Sequence, residues 1–137
     1  MNKKKVKGKI IISSLLGLFL LTSFVLTASA VYSKFDCTYA GISCKGVKVT
    51  GYGTVLAHSD YVYASSGKEL QVSNSSTGPF NLVTQLVDSS GNAISREVYY
   101  SDTIFVKVPK SDNYRVKVTC KDSSSQARCT GQSQVSQ

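Results

Sequence analysis

Four cysteines, a single histidine and eight acids are the chemically equipped side chains after residue 30. The histidine lies in Ala57-His58-Ser59-Asp60. A serine hydrolase needs a nucleophile, a base and an orienting acid brought together. No serine sits in a Gly-x-Ser-x-Gly turn, and Asp60 is two residues from His58 in a predicted loop. Glycosidase chemistry needs two carboxylates converging on one bond. Most acids here flank turn residues, and Glu97, in a predicted strand, follows Arg96. Cys37 and Cys44 are separated by six residues and Cys120 and Cys129 by eight. Neither gap is the C-x-x-C of a redox pair, nor the two to four residues usual in a zinc site. The sequence therefore predicts no enzyme, no metal and no cofactor.

An even cysteine count in an exported chain indicates disulfides. Three connectivities are possible. The local pairs Cys37–Cys44 and Cys120–Cys129 are favoured because each clips a short turn, whereas pairs joining the two ends would close longer loops.

Export is expected from the first thirty residues. Lys3, Lys4, Lys5, Lys7 and Lys9 form a basic start, Ile10–Leu26 is a largely apolar run, and Ala28-Ser29-Ala30 is a small-x-small cleavage signal. The run holds 17 residues with five polar or glycine interruptions, short of the roughly 20 that span a bilayer. Cleavage after Ala30 is expected, leaving membrane contact only before processing and a secreted product. Five of the sixteen cations and none of the eight acids fall in this leader, so the formal charge drops from +8 to +3. Nucleic acid is therefore not an expected partner.

The remaining chain suffices for one core. Helical periodicity is missing, and alternation of period two recurs. Val47, Val49, Val55 and Ala57 alternate with Lys48, Thr50 and Thr54; Leu70 and Val72 with Glu69, Gln71 and Ser73; Tyr114, Val116, Val118 and Cys120 with Arg115, Lys117 and Thr119. Asn81–Val87 is apolar on both faces, as a more central strand would be. Turn clusters separate these runs, among them Asp88-Ser89-Ser90-Gly91-Asn92, where Gly91 or Asn92 takes a positive φ. The predicted fold is all-β, a small antiparallel sandwich rather than a barrel. It occupies 31–129, with 130–137 a polar C-terminal tail, either a frayed edge strand or disordered.

The stretch from Phe80 to Thr119, with its Asp-Ser-Ser-Gly-Asn turn, Val108-Pro109 and Tyr114–Val118, resembles the C-terminal half of secreted bacterial pre-peptidase C-terminal domains. That resemblance implies a β-sandwich and no particular activity. Gly51-Tyr52-Gly53 with Ser59 and Tyr61 resembles a segment of small bacteriocins of the lactococcin type.

One cluster points to binding. If residues 104–108 and 114–118 pair across Pro109–Asn113, Lys107 opposes Arg115 and Phe105 opposes Lys117. Phe105, Lys107, Arg115 and Lys117 then form a basic-aromatic patch suited to an anionic envelope polymer or a protein. Lysines can also serve to guard an exposed sheet edge. The expected function is that of a secreted, non-enzymatic binding protein. The alternative is a secreted antagonist, a bacteriocin-like toxin or an inhibitor.

Overall fold

The computed structural model describes residues 31–37, 41–52, 56–78, 81–121 and 128–137. The predicted leader, with Ala28 and Ala30, lies outside the described residues. Within them the chain forms strands β1 (Val31–Asp36), β2 (Cys44–Tyr52), β3 (Leu56–His58), β4 (Val62–Ala64), β5 (Glu69–Ser76), β6 (Leu82–Val87), β7 (Asp102–Lys107), β8 (Asp112–Cys120) and β9 (Arg128–Ser136), with no helix among the described residues. The first sheet runs β1-β2-β9-β5-β7. In the second, β8 pairs with β6 along one side and with β3 and β4 along the other. All these pairings are antiparallel. Beyond β6, Val98 and Ala93 bridge to Thr84 and Val87.

Strict alternation turns these strands into a sandwich. From the first sheet Val47, Val49, Leu70, Val72 and Val135 point inward; from the second Leu82, Leu86, Tyr114, Val116 and Val118 meet them in one buried cluster. Each such side chain contributes about 1.5–3 kcal/mol by leaving water. Between the sheets lies a polar link. Asn74 donates to the carbonyls of Leu82 (2.7 Å) and Val98 (3.3 Å) and accepts from the Ser133 hydroxyl (2.9 Å), which in turn contacts Thr84 Oγ1. The favoured disulfides, Cys37–Cys44 and Cys120–Cys129, are the ones present. Gly91 has φ +85° and closes the Asp88–Asn92 turn by donating to the Asp88 carbonyl at 2.9 Å.

Two expectations need correction. The polar stretch 130–137 is neither frayed nor at an edge, because β9 pairs with β2 on one side and β5 on the other. Its inward positions are Cys129, Gly131, Ser133 and Val135, all buried. Gly131 is required there because a Cβ would come within 2.2 Å of the Ser75 carbonyl oxygen, and Ser133 is taken up by Asn74. An inner face of small and hydrogen-bonded residues reads as polar in the sequence.

The second correction concerns 104–108 and 114–118, which form no hairpin. β7 pairs with β5, setting Lys107 opposite Glu69 and Phe105 opposite Gln71, while β8 joins the other sheet. The chain crosses between sheets at 108–111. Val108 exchanges backbone hydrogen bonds with Gly67 and Lys68 (both 2.9 Å). The buried Tyr114 donates its hydroxyl to the Lys110 carbonyl at 2.6 Å, a corner lock of the kind known in sandwiches. Lys110 completes the corner by reaching Asp88 (3.1 Å) and Asp112 (3.0 Å).

Candidate functional site

The four residues of the predicted patch divide between the sheets. Phe105, 64% exposed, and Lys107 stand on β7 in the first sheet. Arg115 and Lys117 stand on the outer face of β8, the middle strand of the second. Around this second pair the structure gathers a different set. His58 on β3 registers opposite Lys117 on one side and Gln85 on β6 does so on the other. Tyr61 lies under the Arg115 guanidinium, with the ring centroid 4.7 Å away. Exposed Leu56 and Tyr63 continue the surface along the sheet margin.

A one-residue bulge sets this arrangement. β3 pairs His58 with Lys117, yet β4 pairs Val62 with Tyr114, so one extra residue is accommodated between the two strands. Ser59, buried at 1% exposure, fills the gap in the ladder: its amide donates to the Val116 carbonyl and its hydroxyl accepts from the Val116 amide, each at 3.1 Å. In an unbroken register Asp60 would lie opposite Arg115. The bulge moves Tyr61 there and turns Asp60 toward Lys34, 2.6 Å away. Sequence alone did not reveal this, since nothing in His58-Ser59-Asp60-Tyr61 marks the extra residue.

The electrostatic result is a cationic surface whose described neighbouring acids are mostly engaged by other cations, with Glu97 close enough to feel Lys117. Asp36 pairs with Lys45, Asp60 with Lys34, Asp102 with Arg96, Asp88 and Asp112 with Lys110, and Glu97 with Lys121. Among the described residues, no ion pair engages Arg115 or Lys117. The buried Nε of Arg115 has no hydrogen-bond acceptor. Glu97 at the rim is already committed: the Tyr99 hydroxyl, and after it Lys121 at 3.0 Å, hold its carboxyl below the usual range. Hydrogen bonding to Lys34 likewise lowers Asp60. His58 is depressed by partial burial first, then by Arg115, Lys117 and Lys34, which favours its neutral imidazole. No hydrogen bond among the described residues joins that imidazole to a serine or carboxylate. No cluster of His, Cys, Asp and Glu suited to a metal occurs among the described residues.

The sequence reading also missed the outer face of β9. Thr130, Gln132, Gln134 and Ser136 alternate with the buried residues, and that alternation was the available signal once small inner residues are allowed.

No family model and no curated protein matches the chain. Several solved structures align with part of it. Aeromonas hydrophila PliG, a periplasmic lysozyme inhibitor of g-type lysozyme, is 16% identical with a TM-score of 0.45, covering 80% of this chain and 83% of that one. The enzymatically active domain of bacteriophage CBA120 tailspike protein 4 is 9% identical with a TM-score of 0.38, over 80% of this chain and 18% of that one. An oxalate oxidase in complex with glycolate is 16% identical with a TM-score of 0.36, over 78% of this chain and 49% of that one.

Proposed function

We propose that this protein is a non-enzymatic binding module of an oxidising, extracytoplasmic space, and that the outer face of the second sheet captures a partner bearing carboxylates or phosphates. The partner is an acidic protein surface or an anionic envelope polymer. The observation that carries the proposal is Arg115, stacked on Tyr61 with Lys117 beside it on the same face, neither cation holding an ion pair among the described residues. A guanidinium stacked on an aromatic ring is pre-ordered for a bidentate acceptor. Two disulfides fit an oxidising compartment, and the isolated imidazole of His58 offers no nucleophile to activate.

The test is retention on immobilised polyglutamate and on immobilised polyphosphate. Binding is expected at low salt, with release by about 0.5 M salt as screening shortens the reach of surface charges. Arg115→Glu with Lys117→Glu should abolish it. Retention that survives the double reversal would exclude this surface.

A further inference from the structure

The opposite side of the sandwich carries a surface of another chemistry. On the outer face of the first sheet, strand register places hydroxyls and carboxamides in rows. Lys48, Gln132 and Ser75 are consecutive cross-strand neighbours, as are Gln134, Ser73 and Thr103. A third row joins Ser136, Gln71 and Phe105. Among the residues of β2, β9 and β5 whose side chains are described, the charges on this face are Lys48 and, at the end of β5, Glu69. Solvent-facing sheets are usually studded with lysine and glutamate, so this neutral composition is distinctive.

Aromatic rings flank the neutral floor. Phe105 stands exposed at the β7 margin. On the other side the ring of Phe35 lies directly over Gly46, where a Cβ would come within 2.2 Å of Phe35 Cζ. The glycine is what leaves room for the tip of that ring. Five strands span about 19 Å between the two margins. Two depressions lie on this face. One, of about 260 Å³, is bounded by Gln71, Gln134, Ser136 and the Cys37–Cys44 disulfide. The other, of about 420 Å³, lies between Lys48, Gln132, Ser75 and Thr130.

We infer that this face is a second binding site, and that its ligand is an uncharged oligosaccharide lying across the strands. Each glutamine carboxamide both donates and accepts, as a sugar hydroxyl or acetamido group does. The flanking rings match the apolar C–H faces of sugar rings. An acidic or basic polymer would find no countercharge on most of this floor, which sets the ligand apart from the anionic partner proposed for the opposite face.

The experiment is an NMR titration of the full sandwich with two neutral hexasaccharides, one of β-1,4-linked glucose and one of β-1,4-linked N-acetylglucosamine, following the glutamine side-chain amides. At least one sugar is expected to shift Gln71, Gln132 and Gln134 at millimolar concentration. Gln71→Ala with Gln132→Ala, both at exposed positions, should weaken binding at least about tenfold, and Phe105→Ser should weaken it independently. Raising salt to about 0.5 M should change the affinity less than about twofold, and reversing Arg115 and Lys117 should leave it intact. Absence of shifts with both sugars would overturn the inference, as would shifts centred on Tyr61 and Arg115 or binding abolished by salt. None of those results depends on whether the cationic face binds its own partner.

Discussion

Across the outer face of the first sheet the side chains read Ser75, Gln132 and Lys48 from strand to strand, while across the second they read Gln85, Lys117 and His58. Both rows come from the same rule, residues at alternate positions of antiparallel strands whose other positions fill the core. The difference lies in what each sheet does with charge. The first sheet sets Glu69 opposite Lys107 near its margin and, among the described side chains of its three middle strands, carries one further charge on the outer face, Lys48. In the second sheet the cations lie on the middle strand, and the acid that could answer Arg115 is displaced by the bulge toward Lys34. A sandwich of this size can therefore present two chemically independent surfaces, provided that the core holds the sheets back to back.

That proviso gives the largest predicted effect. Asn74 links β5 to β9 through Ser133 and to the other sheet through the Leu82 carbonyl. Replacing it with leucine takes the acceptor from the Ser133 hydroxyl, which keeps only Thr84, and the side-chain donor from the Leu82 and Val98 carbonyls, and an unmet buried polar group costs about 1–3 kcal/mol. Asn74→Leu should lower the unfolding free energy by about 2–4 kcal/mol, read as a shift of the urea midpoint. A neutral outcome would mean that apolar contact alone holds the sheets together.

The next largest effect separates the faces. Arg115→Glu with Lys117→Glu should weaken capture of polyglutamate by at least about tenfold, and the thermal midpoint should fall only by what the Tyr61 stack contributes, because neither cation holds an ion pair among the described residues. Equal loss of binding on both faces would show that they act as one surface.

The sandwich was legible in the sequence wherever inward positions are large and apolar, as in Val47 and Val49, Leu70 and Val72, or Tyr114 to Val118. It was illegible at β9, where Gly131 and Ser133 take inward positions for steric and hydrogen-bonding reasons that depend on Ser75 and Asn74, more than fifty residues away in sequence. The candidate site was half legible. Arg115 and Lys117 share a face by alternation alone, but their partners depend on which strands flank β8. Turn residues Pro109–Asn113 reveal that the chain turns, without showing that it changes sheets. The neutral face was hidden for the same reason as β9, which supplies its glutamines.

The corner that makes this change of sheets can be probed by acid. The Ser89 hydroxyl, then Lys110 and the Asn113 amide, hold the Asp112 carboxyl down at about 2. Burial pushes Asp88 up, but the Asn92 amide and Lys110 outweigh it and keep the group below its usual value. A carboxylate whose folded pKa is depressed stabilises above its unfolded value, 3.8 for Asp112, and loses that contribution as pH falls toward about 2. Asp112→Asn should therefore lower the thermal midpoint at pH 7, and the gap from the parent should close progressively between about pH 4 and pH 2. A gap independent of pH would assign the effect to the shape of the corner rather than to its charge.

The smallest effect distinguishes the two faces by pH. His58 is held below 6.5 by burial and by Arg115, Lys117 and Lys34, so in the free protein protonation is opposed and His58 contributes to stability in its neutral form. That contribution declines as pH falls through 6.5. An anion bound over Arg115 and Lys117 offsets the repulsion and favours the imidazolium, so binding takes up protons. Capture of polyglutamate should strengthen by about two- to threefold between pH 7.5 and 5.5, and His58→Gln should flatten the profile while leaving affinity at pH 7.5 nearly unchanged. Polyglutamate itself stays ionised in this range because glutamate titrates near 4.3. A pH profile that persists in His58→Gln would place the titrating group elsewhere, and any pH response of oligosaccharide binding would erase the chemical contrast between the faces, since the neutral floor holds no group that titrates between pH 5.5 and 7.5.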